Sequence, residues 1–131
     1  MDKLEKEILK RVSYMNNSKW FRLLTEMRDT EINIQSAYIK FLLNDRKYKF
    51  HLGGFNTNGF GDVSELGPFR YKEIEWILIP ERHETERWNR NEKLTSEFFF
   101  QPIEKIEQII KNMGLLEYEI TEEGLRIFGY K

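Results

Sequence analysis

The chain has no cysteine and only three prolines and two histidines in 131 residues. Without cysteine there can be no disulfide, no thiolate nucleophile and no Cys-ligated zinc, a composition that suits a reducing compartment. No run approaches the roughly 18 apolar residues of a membrane-spanning helix. The N-terminus, MDKLEKEILK, is charged where a secretory signal needs an apolar core. The expectation is a cytoplasmic protein without a membrane attachment. Net charge is nearly absent as well, at -1, so no global field recruits nucleic acid or membrane.

What the chain has is aromatic and aliphatic weight. Hydrophobic residues make up 40% and aromatics 15%, with ten Phe, six Tyr and three Trp, enough for a packed core that favours sheet. The length fits one domain over 1–131. The 33% of charged residues are uneven: the first fifty residues are basic on balance, and the rest are acidic. Such asymmetry is either ordinary helix and loop surface or a means of orienting toward a partner.

Periodicity gives the elements. Leu4, Ile8 and Val12 recur at helical spacing and predict a first helix over 3–15. Asn16, Asn17 and Ser18 carry cap-forming oxygens, and Trp20, Leu23, Leu24 and Met27 define a second helix over 18–28. The apolar parity then changes between Ile34 and Ile39, which predicts a strand with a bulge near Ser36–Ala37. Residues 47–52 alternate and complete a hairpin with it. A glycine-rich connection over 53–68 leads to a strand, 70–79, that Pro80 stops. A charged segment to about 93, a greasy extended run at Phe98–Phe100, a third helix from Pro102 to Gly114 and a last hairpin over 116–128 follow. Neighbouring hairpins favour an α+β fold, a mostly antiparallel sheet of about five strands packed with three helices in the order ααββ-β-αββ. Within strand 70–79, Ile74, Trp76 and Leu78 are the expected core positions.

Four features carry candidate chemistry. His83 stands among Glu81, Glu84, Glu86, Arg82 and Arg87, where a base or a metal ligand is conceivable. Yet Arg87 occupies the place of the second histidine of a zincin, and the charges of 81–93 cancel, which favours a salt-bridged loop or helical turn. The glycines of 53–62 lack the nearby Lys or Arg and the following helix of a phosphate cradle. There Phe55 and Phe60 either fold onto the core or form an exposed lip. The hairpin 40–51 interleaves Lys40, Arg46, Lys47, Lys49 and His51 with Phe41, Tyr48 and Phe50. Its parity sends Tyr48 and Phe50 one way and Lys47 and Lys49 the other, which argues against a base-stacking platform but leaves a phosphate-binding face as an alternative. Finally, Glu73 and Glu75, echoed by Glu117 and Glu119, suggest either an acidic sheet face or the ordinary polar side of a strand.

Three segments, Asn16-Asn17-Ser18-Lys19-Trp20, Glu73-Ile74-Glu75-Trp76-Ile77-Leu78-Ile79-Pro80 and Ile127-Phe128-Gly129-Tyr130, resemble an uncharacterised family of small bacterial cytoplasmic proteins, a domain of unknown function. The resemblance implies a bacterial source and a stand-alone domain, and it carries over no catalytic residue, cofactor or substrate. By analogy with other small bacterial domains it suggests an immunity protein that neutralises a toxin. The leading expectation is a non-enzymatic module that binds another protein and needs no cofactor. Its contact residues would be Glu73, Glu75, Arg82, His83, Arg87 and Trp88, since Trp and Arg often dominate interface energy and carboxylates select basic partners. The alternatives are an enzyme or small-ligand protein built on His83 and nearby carboxylates, and nucleic-acid binding through 40–51.

Overall fold

A computed structural model describes residues 2–29, 34, 36–50, 59–63 and 66–131, and for 83–88 and 96–99 it describes the backbone alone. Helix α1 spans Lys3–Leu9, α2 Asn17–Asp29 and α3 Ile103–Met113. The strands are β1 Tyr38–Phe41, β2 Lys47–Lys49, β3 Phe60–Val63, β4 Gly67–Arg70, β5 Ile74–Pro80, β6 Arg82–Asn89, β7 Glu92–Phe100, β8 Tyr118–Thr121 and β9 Gly124–Phe128. Five of them form one antiparallel sheet in the order β2-β1-β5-β9-β8; β3 with β4 and β6 with β7 form separate two-stranded ladders. The fold is α+β, and β5 is the central strand.

One face of the sheet is buried by α2 and α3. Trp20, Leu23, Leu24 and Met27 of α2 and Ile106, Ile109 and Ile110 of α3 pack on Ile39, Ile74, Ile77, Ile79, Leu125 and Ile127. Burying a Leu, Ile or Met side chain contributes about 1.5–3 kcal/mol, so this layer is the main source of stability. Helix α2 starts where its cap chemistry placed it, with the Asn16 Oδ1 accepting the Lys19 N–H at 2.8 Å. The α3 helix ends at Gly114, whose φ is 111°.

Several elements differ from the sequence pattern. Helix α1 stops at Leu9, leaving Val12 57% exposed, because residues 12–14 turn into extended backbone. Val12 exchanges hydrogen bonds with Lys131 at 2.8 and 3.0 Å, and Tyr14 N–H donates to the Gly129 carbonyl at 2.9 Å, so the segment after α1 lies beside residues 129–131. Residues 30–33 and 35 fall outside the described residues, and the bulge expected at Ser36–Ala37 is absent from β1, which begins at Tyr38. The irregularity sits on the partner strand instead. Lys40 pairs with Trp76 and Phe41 with Ile74, which makes Glu75 the extra residue.

That bulge inverts the side-chain parity of β5. Ile74, Ile77 and Ile79 face the helices, whereas Trp76 and Leu78, expected in the same core, lie on the opposite face. The strand expected over 70–79 is also divided. Tyr71–Glu73 form a 3-10 turn between β4 and β5, fixed by Glu73, whose Oε2 accepts the Arg70 N–H at 2.6 Å. Within the glycine-rich connection, residues 51–58 with Phe55 and His51 lie outside the described residues, while β3 and β4 form an unforeseen hairpin. Its Val63 and Phe69 are buried and its Phe60 is 44% exposed.

Candidate functional site

The charged segment after Pro80 is neither a loop nor a helical turn. Backbone pairing runs from Arg82 opposite Phe100 to Asn89 opposite Glu92, with a register shift between Thr85 and Arg87. The link is two residues, Arg90 at φ 49° and Asn91 at φ 70°. Two successive left-handed residues make a type I′ turn, whose twist matches that of paired strands. The outcome is a β6–β7 arm rising from the end of the central strand, pairing with no other strand among the described residues.

The arm is tied to the body at its root by Gln101, one of the few buried polar side chains. The Gln101 Oε1 accepts the Ser36 N–H at 2.9 Å, and its Nε2 donates to the Ser36 carbonyl at 3.0 Å and the Pro80 carbonyl at 2.6 Å. The Gln101 backbone N–H donates to the Glu81 carbonyl at 2.8 Å. One amide thus stands in for a strand neighbour ahead of β1 and joins both ends of the arm to β5. Nothing in the Gln101-Pro102 dipeptide announces this role.

The six residues expected to form one contact surface divide into two groups. Glu73 ends the 3-10 turn before β5 and Glu75 lies near the start of β5, while Arg82, His83, Arg87 and Trp88 lie on β6 beyond its end, a separation of about 20 Å or more at the usual rise per strand residue. In backbone register His83 is opposite Phe99, Arg87 opposite Leu94 and Trp88 opposite Lys93. Arg82 is exposed, and its register partner Phe100 is 74% exposed.

Glu75 is engaged within the chain. Its side chain is 13% exposed and reaches Arg11 Nη1 at 2.6 Å and Lys40 Nζ at 2.5 Å; Arg11 Nε also meets Glu7 at 2.9 Å. Burial works against the charge of Arg11, but the hydrogen bond to Glu7 and the attraction of Glu75 and Glu7 outweigh it and hold the guanidinium above its ordinary range. Two carboxylates and two cations cancel. Glu73 caps the turn before β5 and leans toward Arg70 at 3.8 Å.

The remaining outer face of the sheet is closed in the same way. Lys47 lies over the Tyr38 ring at 4.6 Å, Arg126 over Trp76 at 4.3 Å and Lys131 over Phe128 at 4.5 Å. Arg126 approaches Glu119 at 3.7 Å and Glu123 at 3.5 Å, and Lys131 meets Glu117 at 2.8 Å. Strand β9 separates β5 from β8, with Glu75 held by Arg11 and Lys40 and Glu119 by Arg126, so no continuous acidic face forms among the described residues. In the β1–β2 hairpin Tyr48 and Phe50 are buried and Lys47 and Lys49 exposed, as parity requires. Lys40 is committed to Glu75.

Where the outer face meets the arm, it opens into a groove of about 410 Å³. Tyr38, Leu78 and Pro80 line it with Lys47, Glu81, Arg82, Glu122 and Glu123. A second groove, about 360 Å³, lies between α1, the end of β1 and the β3–β4 hairpin, with Leu43 and Leu66 exposed beside it. Among the described residues no group of three or more His, Cys, Asp or Glu side chains is placed to hold a metal ion, and no helix is long and apolar enough to cross a membrane.

The architecture defines an α+β protein whose antiparallel sheet is covered by helices on one face and carries a hairpin arm at its end. The chain belongs to a family of unknown function, DUF6678, whose model matches residues 4–131. No curated protein and no solved structure matches the chain.

Proposed function

We infer that the protein is a non-enzymatic protein-binding module that presents the β6–β7 arm, with Arg82, His83, Arg87 and Trp88, to its partner. The observation that carries this reading is the arm itself. Two strands paired only with each other among the described residues leave an outer edge on each, and an isolated two-stranded hairpin is marginal in water. A partner that pairs with an edge or covers the arm would supply the missing neighbour, and Trp and Arg are the side chains best suited to anchor it. Glu73 and Glu75 leave the proposed surface, since their carboxylates serve the fold.

The proposed setting is the bacterial cytoplasm, which suits a cysteine-free chain. The particular module we favour is an immunity protein that neutralises a toxin. A toxin gene directly upstream, and survival of toxin-expressing cells only when this protein is present, would support that choice.

The arm is tested by capture from native lysate of the source cells. The wild type and Glu73→Gln should retain the same partner, and a Trp88→Ala, Arg87→Glu variant should lose it. Equal capture by both variants, or no partner at all, would overturn the reading.

A further inference from the structure

The acids of the outer face fall into two sets. Glu75, Glu117 and Glu119 are each answered by a cation of the same chain. Glu81 and Glu122, at the groove where the arm leaves the sheet, have no ion-pair or hydrogen-bonding side-chain partner among the described residues; Glu123 beside them meets Arg126 only at 3.5 Å. Within one sheet face, acids come into excess where the surface becomes concave: Glu81, Glu122 and Glu123 line the groove against Lys47 and Arg82.

The floor of that groove is apolar. Leu78 is 2% exposed although it lies on the face away from the helices. Tyr38 is its register partner on β1, and Pro80 follows two residues along β5 on the same face. On the β2 side the Lys47 ammonium is already drawn over the Tyr38 ring. A complementary occupant therefore needs an apolar stem to lie on Leu78 and Pro80 and a cationic head directed at the Glu81, Glu122 and Glu123 side. Arginine fits better than lysine. Its planar fork matches paired carboxylates and is less strongly hydrated, so it gives up less on leaving water. The volume, about 410 Å³, takes one long side chain with a short stretch of backbone and not a folded domain.

We propose that this groove is the recognition pocket for an arginine on an extended segment of the partner protein, with Leu78, Tyr38 and Pro80 holding its stem and Glu122 and Glu123 its guanidinium. The proposal rests on the protein-binding reading and names the chemistry of the partner at the root of the arm. It moves the part of the surface that selects a basic partner from Glu73 and Glu75 to the turn between β8 and β9.

The test uses an acetylated, amidated pentapeptide, Gly-Ser-Arg-Ser-Gly, titrated into the isotope-labelled protein and followed by amide chemical shifts. Versions with norleucine or glutamate at the centre serve as controls. Millimolar binding of the arginine peptide is expected, with shifts centred on Tyr38, Leu78 and the 121–124 turn. The norleucine peptide should bind about tenfold more weakly and the glutamate peptide not at all, because the head group supplies the selectivity. A Glu122→Lys, Glu123→Lys variant, altered in an exposed turn, should lose the arginine peptide. The proposal is overturned if shifts avoid the groove, if the three peptides bind alike, or if the double variant binds unchanged. The peptide comparison in the wild-type protein stands even if that variant folds poorly. Partner capture that depends on Trp88, together with no peptide binding, sinks only the groove; peptide binding with no partner captured sinks only the arm.

Discussion

The five-stranded sheet and the β6–β7 arm are built from the same antiparallel pairing but are stabilised in opposite ways. The sheet is buried on one face by α2 and α3, and on the other its aromatics are capped by Lys47, Arg126 and Lys131. The strands of the arm pair along their length, but only with each other among the described residues. Hydrogen-bonded pairing alone is worth little net free energy, because water offers the same bonds to the open chain. The side chains of the arm at 82, 89–93, 95 and 100 are exposed and Leu94 is half-buried, so the two regions should differ in local stability even though β6 continues directly from β5.

The largest test of this contrast is Gly124→Ala. Gly124 has φ 142°, and a Cβ there would collide with the Ile79 carbonyl oxygen where β9 crosses β5. A loss of about 3 kcal/mol, the upper end of ordinary point mutations, is expected by urea denaturation. Gln101→Ala comes next, at roughly 2–3 kcal/mol, since it orphans the buried Ser36 backbone and releases Pro80. It should also speed amide exchange throughout 82–100, an effect that Gly124→Ala should not show beyond its global destabilisation. Glu75→Lys should cost about 2 kcal/mol by setting three cations together in a site only partly open to solvent. If Glu75→Lys left stability unchanged and abolished partner capture, the carboxylate would belong to the interface and not to the fold.

Glu75 also shows what could be read in advance. The helices α2 and α3, the hairpins β1–β2 and β8–β9 and the central place of β5 follow from periodicity, because each buries one clear face. The parity of β5 did not follow, because a bulge at Glu75 exchanges the faces of Trp76 and Ile77, and nothing in Glu-Trp-Ile marks a bulge. Cross-strand register is set by the partner strand, which is a non-local fact. The arm is hard to read from the sequence for a related reason. Its turn, Arg90-Asn91, lacks the glycine that usually signals a type I′ hairpin, and its charge-rich first strand has no apolar alternation to read. The groove needs residues from β1, β2, β5, the start of β6 and the β8–β9 turn, and no local spacing could have gathered them.

A smaller effect concerns the segment that follows β9. The Tyr130 hydroxyl donates to the Lys72 carbonyl at 2.8 Å, and burial pushes its pKa above the ordinary tyrosine value. A phenol with a raised folded-state pKa contributes stability that is fully present below the unfolded value, near pH 10, and that is lost as pH rises through the folded one. Tyr130→Phe should therefore cost about 1 kcal/mol at neutral pH, the price of one hydrogen bond. It should also lessen the fall in stability above about pH 10. An unchanged alkaline limb in the pH dependence of the denaturation midpoint would remove Tyr130 from that account.

The smallest expected effect bears most directly on the contrast between arm and sheet. Arg90 and Asn91 both occupy left-handed conformations, at φ 49° and 70°, and asparagine tolerates that region better than arginine does. Replacing Arg90-Asn91 with the Asn-Gly pair that this turn favours should stabilise the hairpin by about 0.5 kcal/mol, or roughly a twofold rise in amide protection. The gain should be confined to 82–100, with exchange in β5 and β9 and the global denaturation midpoint unchanged, because the arm contributes no neighbour to the five-stranded sheet. If the midpoint instead rose in step with the arm's protection, the two regions would unfold as one unit. The arm would then be part of the cooperative core, and its availability to a partner would have to be argued from its side chains alone.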